Sequence, residues 1–145
     1  MAKAWAYFDT SVLVKRYIRE QASSQAMDLL GRHLVLTSAI APVETLSAIS
    51  RRREAGDLAK KDYDSILACL RADRIHWELV EVGPTILEEA ETLVQSSRLR
   101  TLDAIHVASA VVVRGFLGAR LPFVTADREQ RDAAEAAGME VVWVG

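Results

Sequence analysis

Short apolar runs alternate with longer stretches of helical periodicity along this chain, and that alternation most constrains its fold. Residues 5–8, 34–37, 77–82, 122–125 and 140–144 read as strands, each apolar and bounded by polar or turn residues. The intervening helical stretches are one beginning at Ser11, then 22–30, 40–53, 58–74, 84–97, 102–114 and 128–137. In the first of these, Val12, Leu13, Val14, Tyr17 and Ile18 recur near helical spacing, which leaves Lys15, Arg16 and Arg19 for solvent. Pro42 falls in the first turn of its helix, where a missing N–H is tolerated. Gly31, Gly56 and Gly138 mark helix ends. The stretch 102–114 is apolar nearly all round and predicts a largely buried helix. Strands that alternate with helices predict an α/β fold, a parallel sheet of five strands covered by helices on both faces.

At 145 residues the chain has the size of a single domain, residues 1–145, with one core. Hydrophobic residues make up 50 % of it but aromatics only 6 %, so the core must be mostly Ala, Val, Leu and Ile. A net charge of −2 argues against a protein that coats nucleic acid, yet allows a nuclease whose acidic site offsets a basic groove. The lone Cys69 can form neither an internal disulfide nor a thiolate metal cluster, which points to a reducing compartment. Its SILACL surroundings place it in the core. No run reaches the roughly 20 apolar residues of a spanning helix, and the N-terminus lacks a secretory pattern. A cytoplasmic protein without membrane contact is expected.

In a parallel sheet, ligands bind beyond the carboxyl ends of the strands. Asp9 and Asp127 each lie just beyond a predicted strand. Glu44 and Asp103 lie near the starts of helices, which fall at the same sheet edge. Each acid has an ordinary explanation. Asp9 caps the first helix, although Thr10 or Ser11 can also do so. Glu44, with Ile40, Ala41, Ser47 and Ala48 as helical neighbours and no local basic partner, is a solvated acid. Asp103 complements a helix dipole. Asp127 with Gln130 fits a D-x-x-Q capping box. Their convergence on one edge outweighs these separate explanations. Carboxylates gathered without matching bases repel one another, and a hard divalent cation relieves that repulsion. An all-oxygen donor set favours Mg²⁺ or Mn²⁺ over Zn²⁺, and cations held this way suit phosphodiester hydrolysis.

The stretches FDTSVLVKRY, SAIAPVETLSAISRR, LRTLDAIHVASA and FVTADREQRDAAEAAGMEVV, in that order and spacing, resemble a PIN domain, in particular the VapC-type toxin ribonucleases. The resemblance covers nearly the whole chain. It implies a three-layer α/β/α fold around a central parallel sheet and Mg²⁺- or Mn²⁺-dependent endoribonuclease activity on RNA. By motif match, Asp9 and Asp103 would be the principal metal ligands, with Glu44 and Asp127 completing the acidic pocket directly or through water. Thr125 would be the hydroxyl that supports the last acid. The resemblance also implies a VapB-like antitoxin partner and a homodimer.

Arg98 and Arg100, just before Asp103, are candidates for RNA phosphate contacts at the rim. Arg51, Arg52 and Arg53 end the Glu44 helix, where a solvated, dipole-matched cation is an equal explanation. His106, one turn after Asp103, reads as a structural or supporting residue rather than a base. Trp5, Trp77 and Trp143 fall in predicted strands and are expected in the core. Two other readings compete: a catalytically silent PIN module that binds RNA or a protein, and a haloacid-dehalogenase-like phosphotransferase with Asp9 as nucleophile. The latter expects an acid two residues after Asp9, where this chain has Ser11.

Overall fold

The computed structural model describes residues 2–145. Its elements run β1 (Trp5–Phe8), α1 (Thr10–Tyr17), α2 (Ser23–Arg32), β2 (Leu34–Ser38), α3 (Ala41–Glu54), α4 (Lys60–Arg74), β3 (Glu78–Val80), α5 (Pro84–Ser97), α6 (Thr101–Leu117), β4 (Phe123–Thr125), α7 (Arg128–Ala136) and β5 (Val141–Trp143). The five strands form one sheet in the order β3-β2-β1-β4-β5, and every neighbouring pair is parallel. The expected parallel sheet is present, with β1 at its centre.

Successive side chains on a strand point to opposite faces, and the register shows the consequence. Tyr7 aligns with Leu36 on one side and with Phe123 on the other. All three enter a buried cluster with Ile86 of α5, Ala104 of α6 and Ala134 of α7. The Tyr7 and Phe123 rings stack there, centroids 5.5 Å apart. Ala6, Phe8, Val35 and Val124 face the other way and meet Val12 and Leu13 of α1 and Ala26 and Leu29 of α2. Helices on both faces of the sheet give the three layers. Each fully buried large side chain, Phe8 or Phe123 for instance, contributes on the order of 2–3 kcal/mol of transfer free energy. A further cluster of Tyr17, Ile18, Ile49 and Leu70 joins α1, α3 and α4. Arg16 and Tyr17 of α1 both reach Asp73 of α4, at 2.6 Å each, and reinforce that junction.

Several expectations shift. Gly31 does not stop α2, which continues to Arg32. The third strand shortens to Glu78–Val80 and leaves Trp77 outside it. The long apolar helix is buried from Ala104 to Ala110 only. Toward its end the helix becomes exposed, and Phe116 is 84 % exposed. The expected core tryptophans are only partly in the core. Trp5 is exposed, Trp77 packs between two clusters, and the ring of Trp143 lies under the Arg131 guanidinium at 4.9 Å. Cys69 is half-buried, with its thiol directed at Asp73.

Candidate active site

The sheet itself selects the position of the site. From β1 the chain crosses to β2 on one side, while β4 lies against β1 on the other. The gap between the ends of β1 and β4 is therefore a topological switch point, where open α/β sheets bind ligands. Asp9 directly follows β1, and Asp127 follows β4 by two residues. The Asp9 N–H donates to the Val124 carbonyl across this gap.

Asp9 occupies the N-cap position of α1, but its side chain makes no capping bond. Thr10 and Ser11 lie inside the helix and do not cap it either, contrary to expectation. The Ser11 hydroxyl donates to Asp9 Oδ1 at 2.7 Å and accepts the Ala126 N–H at 3.0 Å. One serine thus holds the carboxylate and fastens the end of β1 to the segment after β4. Asp9 is 1 % exposed. Burial raises its pKa to about 6, assisted by the charge of Asp127 and opposed by His106 and the Ser11 hydrogen bonds.

Glu44, in the first turn of α3, is held from across the cleft. Its Oε1 accepts the Thr10 hydroxyl at 2.7 Å and lies 2.7 Å from His106 Nε2. His106 is buried, and its Nδ1 lies 2.9 Å from the Tyr7 hydroxyl. A carboxylate only accepts, so Nε2 carries a proton toward Glu44, while Nδ1 and the Tyr7 hydroxyl share the second hydrogen bond of the ring. Burial holds the Tyr7 phenol well above its ordinary pKa, so it keeps its proton. The supporting role read for His106 thus has a definite form: it links the central strand to Glu44.

Asp103 lies in the first turn of α6. Its Oδ1 accepts the Gln130 side-chain amide at 2.8 Å, and Oδ2 lies 3.7 Å from Arg100. Burial raises its pKa; the Gln130 hydrogen bond opposes this and the Asp127 charge adds to it. Asp127 caps α7, its Oδ1 accepting the Gln130 backbone N–H at 2.9 Å. The Asp127 N–H donates to Thr125 Oγ1 at 3.0 Å, so this hydroxyl contacts the backbone of the last acid. Asp9, Glu44, Asp103 and Asp127 all line one cleft of about 660 Å³.

The family model for the PIN domain matches residues 6–136. The chain belongs to the PIN-domain family. It is 36 % identical over 137 residues to Ribonuclease VapC46 of Mycobacterium tuberculosis, covering 94 % of this chain and 95 % of that protein. Ribonuclease VapC45 of the same species is 33 % identical over 143 residues, covering 93 % and 92 % of the two chains. Among solved structures, FitAcB from Neisseria gonorrhoeae superposes with a TM-score of 0.69 at 16 % identity, covering 94 % of this chain and 95 % of that one. PAE2754 from Pyrobaculum aerophilum gives 0.66 at 20 % identity, covering 98 % and 91 %. These structures share the fold of this PIN-domain chain.

The donors in the cleft suit a hard cation. They are carboxylate oxygens, and Asp9 is a buried carboxylate whose side-chain partner is a hydroxyl rather than a base. Among the described residues, however, no three His, Cys, Asp or Glu side chains are gathered closely enough to cage an ion. Glu44 is drawn toward Thr10 and His106, and Asp127 commits one oxygen to its cap. Mg²⁺ is usually held by one or two carboxylates and keeps several waters, so an open arrangement of this kind fits it.

The rim differs from expectation. Arg98 sits in a left-handed conformation at the end of α5 and does not line the cleft. Arg100 is 89 % exposed, and its contact is with Asp103. The cations that do line the cleft are Lys15 and Arg51. Lys15 is already held by Glu20 and the Gln21 carbonyl, whereas Arg51 is exposed. Sequence reasoning missed Ser11 and Thr10 as bracing hydroxyls and the Gln130 amide. Only Gln130 carried a signal, its place in the D-x-x-Q pattern. No helix among the described residues is long and apolar enough to cross a membrane.

Proposed function

We propose that this PIN-domain chain is a VapC-type ribonuclease: an endoribonuclease, dependent on Mg²⁺ or Mn²⁺, acting in the cytoplasm as the toxin of a toxin–antitoxin pair. The observation that carries the reading is the lining of one cleft by Asp9, Glu44, Asp103 and Asp127 at the switch point of the sheet. Relatives named as VapC ribonucleases across nearly their whole length support RNA as the substrate. Structures titled as toxin–antitoxin complexes share the fold and support a VapB-like antitoxin partner. Residues 1–145 would act as one domain, in a homodimer.

Asp9 and Asp103 would hold the cation, with Glu44 and Asp127 completing the pocket. The bound cation supplies Lewis acidity: it makes water a competent nucleophile near neutral pH and offsets charge on the departing oxygen. The rest of the work falls to the side chains. Ser11 fixes the rotamer of Asp9. Thr10 and His106 fix Oε1 of Glu44 and leave Oε2 to accept a hydrogen bond from the attacking water. Thr125 fixes the backbone from which Asp127 projects. Arg51 on the rim meets a backbone phosphate. Water forms a bond to phosphorus and one ester P–O bond breaks; the carboxylates pass a water proton to solvent, and the departing ribose oxygen takes up a proton from solvent to leave as an alcohol.

The test is RNA cleavage by purified protein in Mg²⁺ or Mn²⁺, compared with Asp103→Asn of unchanged circular dichroism. Cleavage by the wild type alone is expected. Equal cleavage by the variant removes Asp103 from the site. The absence of a ready-made cage among the described residues favours one alternative, a silent PIN module, which predicts no cleavage at any cation concentration.

A further inference from the structure

We propose that Gln130 is a positioning residue of the cation site, setting the Asp103 carboxylate with its side-chain amide and the Asp127 carboxylate with its backbone N–H. The inference rests on the cation-site reading above and adds a residue that the four-acid pattern does not contain.

Residues 127–130 carry the D-x-x-Q pattern. In a complete capping box, the side chain three residues after the cap returns to the backbone N–H of the cap residue. Half of that box is present: Asp127 Oδ1 accepts the Gln130 N–H at 2.9 Å. The other half is taken by a different residue. The Asp127 N–H donates to Thr125 Oγ1 at 3.0 Å, which releases the Gln130 side chain. That side chain reaches to α6 instead, and Nε2 donates to Asp103 Oδ1 at 2.8 Å. An ionised carboxylate offers only acceptors, so the amide nitrogen must face Asp103.

Gln130 is 3 % exposed and faces the cleft. Its neighbours on the buried side of α7, Ala133 and Ala134, belong to the apolar cluster. For packing alone, an apolar residue would serve this position better, because Oε1 of Gln130 is buried without a partner. The amide is accounted for by what it holds. Asp103 and Asp127 come from different helices, α6 and α7, and Gln130 is hydrogen-bonded to both. A neutral donor shared between them fixes their separation without adding a positive charge that would compete with a cation.

The test measures Mn²⁺ binding by calorimetry on protein without RNA, at neutral pH. Gln130→Met keeps the shape and the backbone cap but removes the donor; Gln130→Leu does the same should the first variant not fold. Partners that orient metal ligands are worth about 10–100-fold in affinity, so a loss of at least 10-fold is expected in a variant with native circular dichroism. Ala133→Gly loosens the same helix elsewhere. It should lower the melting temperature in EDTA and leave Mn²⁺ affinity within about twofold. Wild-type binding with an unchanged constant in Gln130→Met overturns the inference and leaves the cation site standing. An equal loss in Ala133→Gly overturns it too, since helix stability would then be the cause. No Mn²⁺ binding by the wild type overturns the cation-site reading itself.

Discussion

Replacing Asp9 with Asn should stabilise this protein at neutral pH when divalent cations are withheld. The Asp9 carboxylate is buried, and its pKa rises from 3.8 to about 6, chiefly through burial. A carboxyl with a raised folded-state pKa favours folding when protonated. Its contribution is fully present below pH 3.8 and is lost as pH climbs through about 6. Above that pH, charging Asp9 costs the fold roughly 3 kcal/mol, since each tenfold change in a protonation equilibrium is worth about 1.4 kcal/mol. Asp9→Asn removes the charge while keeping an acceptor for the Ser11 hydroxyl. Urea titrations in EDTA at pH 4 and pH 8 read the effect directly. The variant should match the wild type within about 1 kcal/mol at pH 4 and exceed it by about 2–3 kcal/mol at pH 8. Adding Mn²⁺ should close most of that gap: the wild type gains roughly 2.7 kcal/mol at a hundred times its dissociation constant, and the variant gains far less. An Asp9→Asn protein no more stable than the wild type at pH 8 in EDTA would refute the account of Asp9 as a buried, uncompensated charge.

Arg51→Ala should raise KM for RNA several-fold with little change in kcat, and should flatten the salt dependence of binding by about 0.7 in the log–log slope, one phosphate contact on a single strand. A steady-state salt series checks both, and an unchanged slope argues that Arg51 is only a solvated helix end. His106→Phe should cost about 2–3 kcal/mol in urea, because the Tyr7 hydroxyl loses its buried partner. Combined with Tyr7→Phe, the loss should fall short of the sum of the single losses. Simple additivity would separate the two residues and dissolve the link from β1 to Glu44.

Much of this architecture was legible in the sequence because parallel strands and their helices announce themselves by period. Apolar runs such as WAYF had no room for polar alternation, which marked buried parallel strands. Asp9 and Asp127 stood out because each interrupts such a run where the sheet ends. Strand order was not legible: the pairing of β1 with β4 joins Tyr7 to Phe123, and no local pattern encodes so distant a contact. The bracing of the acids was hidden for the same reason. Glu44 looked unpartnered because its partners, Thr10 and His106, are distant in sequence. The expected capping box formed only by half: Asp127 accepts the Gln130 N–H, but Thr125 supplies the acceptor that frees the Gln130 side chain. Helix 102–114 read as largely buried, and α6 is buried from Ala104 to Ala110; hydropathy did not show that the helix continues past 114 to an exposed Phe116. Arg98 was read as a rim cation from its proximity to Asp103, yet its backbone turns the chain from α5 into α6.

The central claim is that the acids of this cleft hold a divalent cation. Titrating the wild type and an Asp9→Asn/Asp103→Asn double variant with Mn²⁺ by calorimetry at neutral pH tests it most directly. Saturable binding by the wild type, abolished in a double variant that keeps native circular dichroism, is the predicted result. Equal binding by both proteins, or none by either, would contradict it.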